Sequence, residues 1–219
     1  MSTLYAIPTP LGGSPADALP QSAIKKILGL RRFVVENARS ARAFLGALGM
    51  PVRDLVIEEI GDNSLEGGDI GLLSEAGCPA IADPGAKLIE AAHAAGYKVV
   101  PLIGPSSIVM ALMASGLEGQ RFAFCGYLPR ESDERKKRIK ELEGRSRREE
   151  ETEIFIETPY RNDAMLAALL EACAKTTRLC VAIDLTLPTE MIRTRQIGEF
   201  KAFSIGKRPA VFLLLAQHR

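Results

Sequence analysis

The chain has few of the residues from which metal centres and disulfide frameworks are built. Its 219 residues include two histidines, His93 and His218, and four cysteines without C-x-x-C spacing, at Cys78, Cys125, Cys173 and Cys180. Neither histidine has a plausible metal-ligand partner beside it, so no protein-bound metal is expected. Cysteines this sparse cannot form a disulfide framework. The sequence therefore predicts a protein without a metal site, in a reducing, cytoplasmic environment.

Further absences restrict the classes of function. No apolar run is long enough to span a membrane, and the N-terminus lacks the basic and then apolar plan of a signal peptide. The G-x-G-x-x-G motif of Rossmann-type cofactor sites is missing. Lys and Arg number 28 against 27 Asp and Glu, a formal net charge of +1. This balance excludes a globally basic nucleic-acid binder and leaves only a local basic patch for contact with RNA.

Short apolar runs alternate with helical patterns along the whole chain, and hydrophobic residues make up 47% of it. This is ample for a buried core. The runs predict strands at residues 4–7, 32–35, 55–57, 71–73, 98–103, 122–127, 153–156, 179–184 and 211–216. Helical patterns lie at residues 18–30, 40–48, 88–95, 108–115 and 133–142, and a last one runs through Cys173. We predict an α/β fold with two α/β domains, a parallel-sheet domain at 1–118 and a mixed-sheet domain at 119–219.

Residues 71–85, GLLSEAGCPAIADPG, are the stretch around which the chain is organised. An apolar run ends there in a stiff loop rich in Gly and Pro, and a helical pattern follows, with Asp83 expected as N-cap and Pro84 as first helical residue. Ligands bind at such turns because backbone amides and helix N-termini converge outside the carboxyl ends of parallel strands. The alternative is an ordinary tight connection between a strand and a helix.

Two more rigid loops follow predicted strands, PTPLGG at residues 8–13 and GPSS at residues 104–107. The second leads into a helix that is apolar almost all round and is therefore predicted to be buried. Its first turn, beside Ser106 and Ser107, is a natural seat for a carboxylate or a ribose hydroxyl, with simple capping by serine as the alternative.

A strongly charged helix is predicted at residues 133–142, ended by Gly144 and followed by a solvated connection at 145–151. Arg135, Lys136, Lys137 and Arg138 on this helix are candidates for phosphate contacts. The alternative is a solvated face, since exposed Lys and Arg runs are common without any nucleic acid.

The ordered motifs resemble the tetrapyrrole methylase superfamily. They are SEAGCP at 74–79, ADPG at 82–85, GPSS at 104–107, ASGL at 114–117, FCGYLP at 124–129 and IFIETPYR at 154–161. Within the superfamily the chain most resembles the ribosomal RNA small-subunit methyltransferase I family, which 2′-O-methylates a cytidine. The resemblance spans nearly the whole chain.

The resemblance implies S-adenosylmethionine (SAM) as cofactor, held in a cleft between the two domains, usually in a homodimer. It also implies ribosomal RNA or the small ribosomal subunit as partner. By the motif match, the residues that fall where relatives hold the cofactor are Leu11, Gly77, Cys78, Pro79, Ile81, Ser107, Ile108 and Ile156.

The acceptor site is less closely matched. Glu36 and Glu157 are candidate catalytic bases for a ribose hydroxyl, and Arg39 and Arg161 are candidates to orient a phosphate. The chain departs from the family at Asn37 and Ala38, at Glu75 and Cys78, and across residues 184–187. Three hypotheses therefore stay open: an RNA methyltransferase, a methyltransferase of a tetrapyrrole or other small molecule, and a cofactor-binding relative that has lost catalysis.

Overall fold

The structure is a computed structural model that describes residues 2–61, 65, 67–201 and 203–216. His218 lies outside these residues. Contacts divide the chain into two compact units, Met1–Ser106 and Ser107–Arg219. The domain boundary after residue 118 stays a prediction. None of the helices in the described part of the chain is long and apolar enough to cross a membrane.

The first unit is built around a five-stranded sheet in which every pairing is parallel, in the order β3-β2-β4-β1-β5. Its strands are β1 Thr3–Ile7, β2 Arg32–Val35, β3 Val56–Glu59, β4 Ile70–Leu73 and β5 Lys98–Pro101. Its helices are α1 Pro15–Ala18, α2 Gln21–Leu28, α3 Ala38–Ala47 and α4 Ala86–Ala94, with a 3-10 turn at Val52–Asp54.

Successive residues of a strand point to opposite faces of the sheet. Apolar strand residues therefore lie on both faces, and helices cover both of them. Ile7, Phe33 and Leu73 pack with α2 and α3 in one core, whereas Leu4 and Val34 pack with α4 in the other. The connection from β1 to β2 and the connection from β4 to β5 run in opposite directions along the sheet. Since parallel crossovers are right-handed, opposite directions put their helices on opposite faces.

Two helix predictions in this unit are wrong. The single helix expected at 18–30 is two helices, because Pro20 has an extended backbone and stands as the N-cap position of α2. Asp83 and Pro84 do not begin α4, whose N-cap is Gly85 with φ of 130°. That backbone angle ends the loop in a conformation that only glycine adopts easily. Strand β5, which ends at Pro101, is the outer strand beside β1, and an outer strand tolerates a residue without a backbone N–H.

The second unit contains a mixed five-stranded sheet in the order β6-β7-β10-β8-β9. Only β6 and β7 pair in parallel, and the other pairs are antiparallel. The strands are β6 Phe122–Tyr127, β7 Thr152–Ile156, β8 Arg178–Ile183, β9 Met191–Gln196 and β10 Ala210–Leu215. The helices are α5 Ser107–Ser115, α6 Ser132–Glu149 and α7 Asn162–Ala172, with 3-10 turns at Pro159–Arg161 and Ile197–Glu199.

Three expectations for this unit need correction. Gly144 does not end α6, and the predicted connection at 145–151 is mostly its last turns, because Arg145 pairs with the buried Glu153 of β7. The strand β9 was not predicted, since its sequence MIRTRQ lacks an apolar alternation and it is held by pairing along β8. Helix α5 is buried on one side only, with Val109 and Met113 exposed.

Candidate functional site

The carboxyl ends of the five parallel strands lie at one edge of the first unit's sheet. Strands β1 and β4 are neighbours there, yet their outgoing connections run in opposite directions. In open parallel sheets, ligands bind in the crevice that forms where the connections diverge in this way. We call the segments that leave this edge the β1 loop (residues 8–13), the β4 loop (residues 74–85) and the β5 loop (residues 102–106).

Hydrogen bonds tie these loops together. Thr9 and Gly77 form an isolated antiparallel bridge, with Thr9 N donating to Gly77 O at 2.9 Å and Gly77 N donating to Thr9 O at 3.0 Å. The Thr9 hydroxyl donates to the Ser74 carbonyl at 3.3 Å. From the β4 loop the Cys78 thiol donates to the Pro105 carbonyl at 3.4 Å. The three predicted rigid loops therefore form one hydrogen-bonded surface.

The backbone of the β4 loop is strained at non-glycine positions. Gly77 and Gly85 have φ of 78° and 130°, and Ala80 and Ala82 have φ of 67° and 65°. An alanine in the left-handed region costs on the order of 1 kcal/mol. Because such strain persists only where the surroundings impose it, its concentration in one loop is typical of a ligand-binding segment.

Gly77 lies at the centre of this surface and is buried. A Cβ atom added to it would lie 3.3 Å from Leu11 Cδ2 and 4.0 Å from the Pro105 carbonyl oxygen. The β1 and β5 loops therefore both approach Gly77 closely. Leu11, Gly77 and Cys78, three of the predicted cofactor contacts, therefore lie close together.

Carboxylates gather beside this surface. Burial, together with the charges of Glu36 and Glu75, raises the pKa of Asp83 to about 6, although a hydrogen bond with Ser74 opposes the shift. Glu36, the candidate base that follows β2, accepts a hydrogen bond at Oε2 from the Glu75 backbone N–H at 3.0 Å. Burial and the nearby Asp83 raise the pKa of the Cys78 thiol, so it is a poor nucleophile.

Asp83 is the residue that sequence reasoning missed. Its position before Pro84 suggested a helix cap, and the pattern at 82–85 gave no sign that the charges of Glu36 and Glu75 act on its carboxyl. One signal in the sequence did indicate a cluster of carboxylates here. Glu36 follows β2 and Glu75 follows β4, and the carboxyl ends of these two neighbouring parallel strands lie side by side.

The other predicted residues of the first unit are placed as follows. Pro79 is buried within the β4 loop, whereas the Ile81 side chain is 49% exposed. Arg39 is exposed in the first turn of α3, where its backbone N–H is capped by Asn37 Oδ1 at 2.9 Å. Ser107, Ile108 and Ile156 belong to the second unit, at the first turn of α5 and the end of β7.

The buried Glu157 and the partly exposed Arg161 form an ion pair just beyond β7. Glu157 is buried, with 5% of its surface exposed. Its Oε1 accepts hydrogen bonds from the Arg161 guanidinium, the Thr158 N–H at 2.6 Å and the Thr158 hydroxyl at 3.2 Å. Glu157 Oε2 and Arg161 Nη1 are buried and have no hydrogen-bond partner among the described residues. The pair therefore retains an acceptor and a donor that are unused.

On the predicted basic face of α6, Lys137 is exposed, whereas the other three side chains are engaged within the protein. Arg135 is buried and donates to the Arg130 carbonyl at 2.8 Å. Lys136 pairs with Glu171 at 2.7 Å and Arg138 with Glu141 at 3.2 Å. The expectation of an exposed basic patch there is wrong for Arg135, because its side chain closes the first turn of the helix against the preceding loop.

Comparison with known proteins gives consistent results. A profile of the family described as Tetrapyrrole (Corrin/Porphyrin) Methylases matches residues 17–201. A Vibrio cholerae serotype O1 protein named ribosomal RNA small subunit methyltransferase I is 32% identical over 205 residues, covering 90% of this chain and 69% of the relative. An Escherichia coli O157:H7 protein of the same name is 31% identical over 209 residues, covering 91% and 71%.

A crystal structure of the methyltransferase CobJ matches with a TM-score of 0.64 at 17% identity, over 99% of this chain and 95% of that chain. This match supports the fold, including the parallel first sheet and the mixed second sheet. The family profile and the two named relatives define the class of the protein, a SAM-dependent methyltransferase. The chain belongs to the family of tetrapyrrole (corrin/porphyrin) methylases. The resemblance, the fold class and the enzyme class predicted from the sequence are confirmed.

Proposed function

We propose that this chain transfers a methyl group from SAM to a ribose 2′-hydroxyl of small-subunit ribosomal RNA. The observation that carries the cofactor site is the bridge between Thr9 and Gly77, which fixes the β1 and β4 loops where their connections diverge. The RNA acceptor is supported by the names of relatives that are 31–32% identical to the chain.

The residues at this edge fit SAM in chemistry. SAM has a positive sulfonium and ammonium, a negative carboxylate, a polar ribose and a flat aromatic adenine. The carboxylates of Glu36, Glu75 and Asp83 give the edge a negative potential that favours cations. Leu11 and the half-exposed Ile81 supply apolar walls, and Gly77, which has no Cβ, keeps the space beside Leu11 open. Ser107, Ile108 and Ile156 of the second unit stay in the proposal as further contacts.

The bound sulfonium supplies an activated methyl group, and the transfer neutralises its charge. The chain's main contribution is therefore orientation of the acceptor oxygen and exclusion of water. A ribose hydroxyl must lose its proton as the bond to carbon forms, and a carboxylate accepts it. Glu36 and Glu157 remain candidate bases, and Glu157 Oε2 has no hydrogen-bond partner among the described residues.

The alternative acceptor is a tetrapyrrole or other small molecule, which the description of the matching family favours. The two acceptors are distinguished by direct assay. Purified protein is incubated with methyl-labelled SAM and, in separate reactions, with small-subunit particles, extracted small-subunit RNA and a porphyrin-type tetrapyrrole. We expect label on a ribose of the RNA. If only the tetrapyrrole is labelled, the proposed RNA acceptor is wrong and the acceptor is a small molecule.

No label on any acceptor, with SAM binding intact in calorimetry, would favour the third hypothesis, a cofactor-binding relative without catalysis. We further propose, from the family resemblance, that the chain acts as a homodimer in the cytoplasm. Light scattering on the purified protein tests the first part, since the chain mass is 23.7 kDa and a dimer has twice that mass. A monomeric mass at assay concentration would contradict the homodimer.

A further inference from the structure

The parallel strands β6 and β7 end side by side, so the segments that follow them meet in space. A register shift between Phe124 and Tyr127, with Gly126 at φ of 64°, interrupts the pairing just before the end of β6. Bulges of this kind re-aim a side chain. Here the interruption precedes Tyr127, whose ring is 55% exposed.

A cavity of about 480 Å³ lies between the two segments. Its volume is typical of pockets that hold small ligands. The lining residues are Tyr127, Leu128, Pro129, Arg130, Thr158 and Arg161. The cavity therefore combines an exposed aromatic ring, two guanidinium groups and a hydroxyl.

The Arg161 side chain is fixed before any ligand arrives. Its Nη2 pairs with the buried Glu157 and its Nε donates to the Thr158 hydroxyl at 3.3 Å, whereas Nη1 is buried and has no partner among the described residues. Preorganisation of this kind lowers the entropy lost on binding. Arg130 is exposed and forms no ion pair within the described part of the chain. An anion in the cavity would meet one fixed and one mobile guanidinium.

We propose that this cavity binds one nucleotide of single-stranded RNA next to the methylated residue, with its phosphate on Arg130 and Arg161 and its base stacked on Tyr127. Arginine is suited to phosphate because its fork of N–H donors matches the phosphate oxygens. An exposed tyrosine stacks on any base, which single-stranded RNA offers and a duplex does not. The inference rests on the proposed RNA acceptor and names the surface that would hold it.

The test uses the full chain and a short fluorescein-labelled single-stranded RNA, with binding measured by anisotropy over a series of salt concentrations. Arg161 is left intact, since its replacement would strand the buried Glu157 charge and confuse folding with binding. The variants are Arg130→Gln and Tyr127→Leu at exposed positions. Arg148→Gln is the matched control, because it removes the same charge from an exposed site on α6.

The two variants are expected to fail differently. Arg130→Gln lowers RNA affinity and reduces the salt slope by about one, because one phosphate contact is lost. Tyr127→Leu lowers affinity by about tenfold and leaves the salt slope unchanged, because stacking is not ionic. Arg148→Gln keeps both values, and SAM affinity is the same in all four proteins.

Three results would overturn the inference, and only one of them would also overturn the proposed function. If wild-type protein binds RNA and both pocket variants bind it equally well, the cavity is not the RNA site, while the RNA acceptor stands. If the wild-type protein shows no salt-dependent affinity for RNA, the RNA acceptor and the pocket inference both fail. An equal loss in Arg130→Gln and Arg148→Gln would assign the effect to overall charge and overturn the pocket.

Discussion

Gly77 is where backbone strain and close approach coincide. Its φ of 78° disfavours any residue with a Cβ, and such an atom would lie 3.3 Å from Leu11 Cδ2. We expect Gly77→Val to weaken SAM binding by at least tenfold, because the added side chain displaces Leu11 and narrows the strand-end crevice. The fold should survive, with a stability loss of about 1–3 kcal/mol. Isothermal calorimetry with SAM and thermal unfolding measure the two effects.

Gly96→Val is the control for this prediction. Gly96 has nearly the same φ, 75°, but an added Cβ would find nothing within 4 Å, and it follows α4 at the opposite end of the sheet from the β4 loop. The control should lose comparable stability while keeping its SAM affinity. If Gly77→Val folds and binds SAM as tightly as Gly96→Val does, the β4 loop is a connector and not a cofactor site.

Asp83 gives a prediction about pH. Its pKa is raised from 3.8 to about 6 in the folded protein, chiefly by burial and then by the charge of Glu36. Between these values the folded state holds more protons at this site than the unfolded state. The Asp83 contribution to stability is therefore present below about pH 4 and is lost as pH rises through about 6.

Asp83→Asn should remove this dependence, so the stability of the variant relative to wild type should increase from about pH 4 to about pH 7. Thermal unfolding midpoints across this range provide the measurement, with Asp17→Asn on exposed α1 as the control. A wild-type and a variant profile that run parallel would contradict the raised pKa.

At the scale of secondary structure, the junction of α6 and β7 depends on a buried ion pair. Glu153 is fully buried in β7, and Arg145 pairs with it and donates to the Cys125 sulfur at 3.1 Å. Arg145→Leu should cost about 3 kcal/mol, because it leaves an uncompensated buried carboxylate. Denaturant unfolding measures the loss.

Adding Glu153→Gln to Arg145→Leu removes the stranded charge and should restore part of the stability. The exposed pair of Arg148 with Glu149 offers the contrast, since Arg148→Leu is expected to change stability by less than about 0.5 kcal/mol. If Arg145→Leu and Arg148→Leu both lower the free energy of unfolding by the same small amount, the ion pair does not hold the end of α6. Residues 145–151 would then behave as the solvated connection predicted from the sequence.

The helices and strands that were predicted from the sequence differ from those that were missed in the interactions that stabilise them. Strands β1 and β4 and helix α3 have local apolar patterns with glycine or proline boundaries, and these were predicted closely. Strand β9 and the end of α6 have no such pattern, because cross-strand pairing with β8 and the ion pair with Glu153 hold them. Contacts between residues distant in sequence cannot be seen in local periodicity.

At the scale of the whole molecule, the candidate site also combines features that local sequence patterns predict with features that depend on contacts distant in sequence. The strand-end loops were predictable because parallel strands must bring their carboxyl ends together, and Leu11, Gly77 and Cys78 do meet there. The role of Asp83 could not be predicted, because it depends on the strained backbone of the β4 loop. The cavity beside Tyr127 could not be predicted either, because it depends on the interrupted pairing between β6 and β7. Motif resemblance supplied the enzyme class, which geometry alone does not define.

The most direct test is the methylation state of small-subunit ribosomal RNA in cells with and without this gene. Mass-spectrometric mapping of ribose methyls should show one methylated nucleotide in the parent that is absent from the deletion strain. The wild-type gene should restore it, and Gly96→Val should restore it too, whereas Gly77→Val should not. Identical ribose methylation in the parent and deletion strains would contradict the proposed RNA methyltransferase.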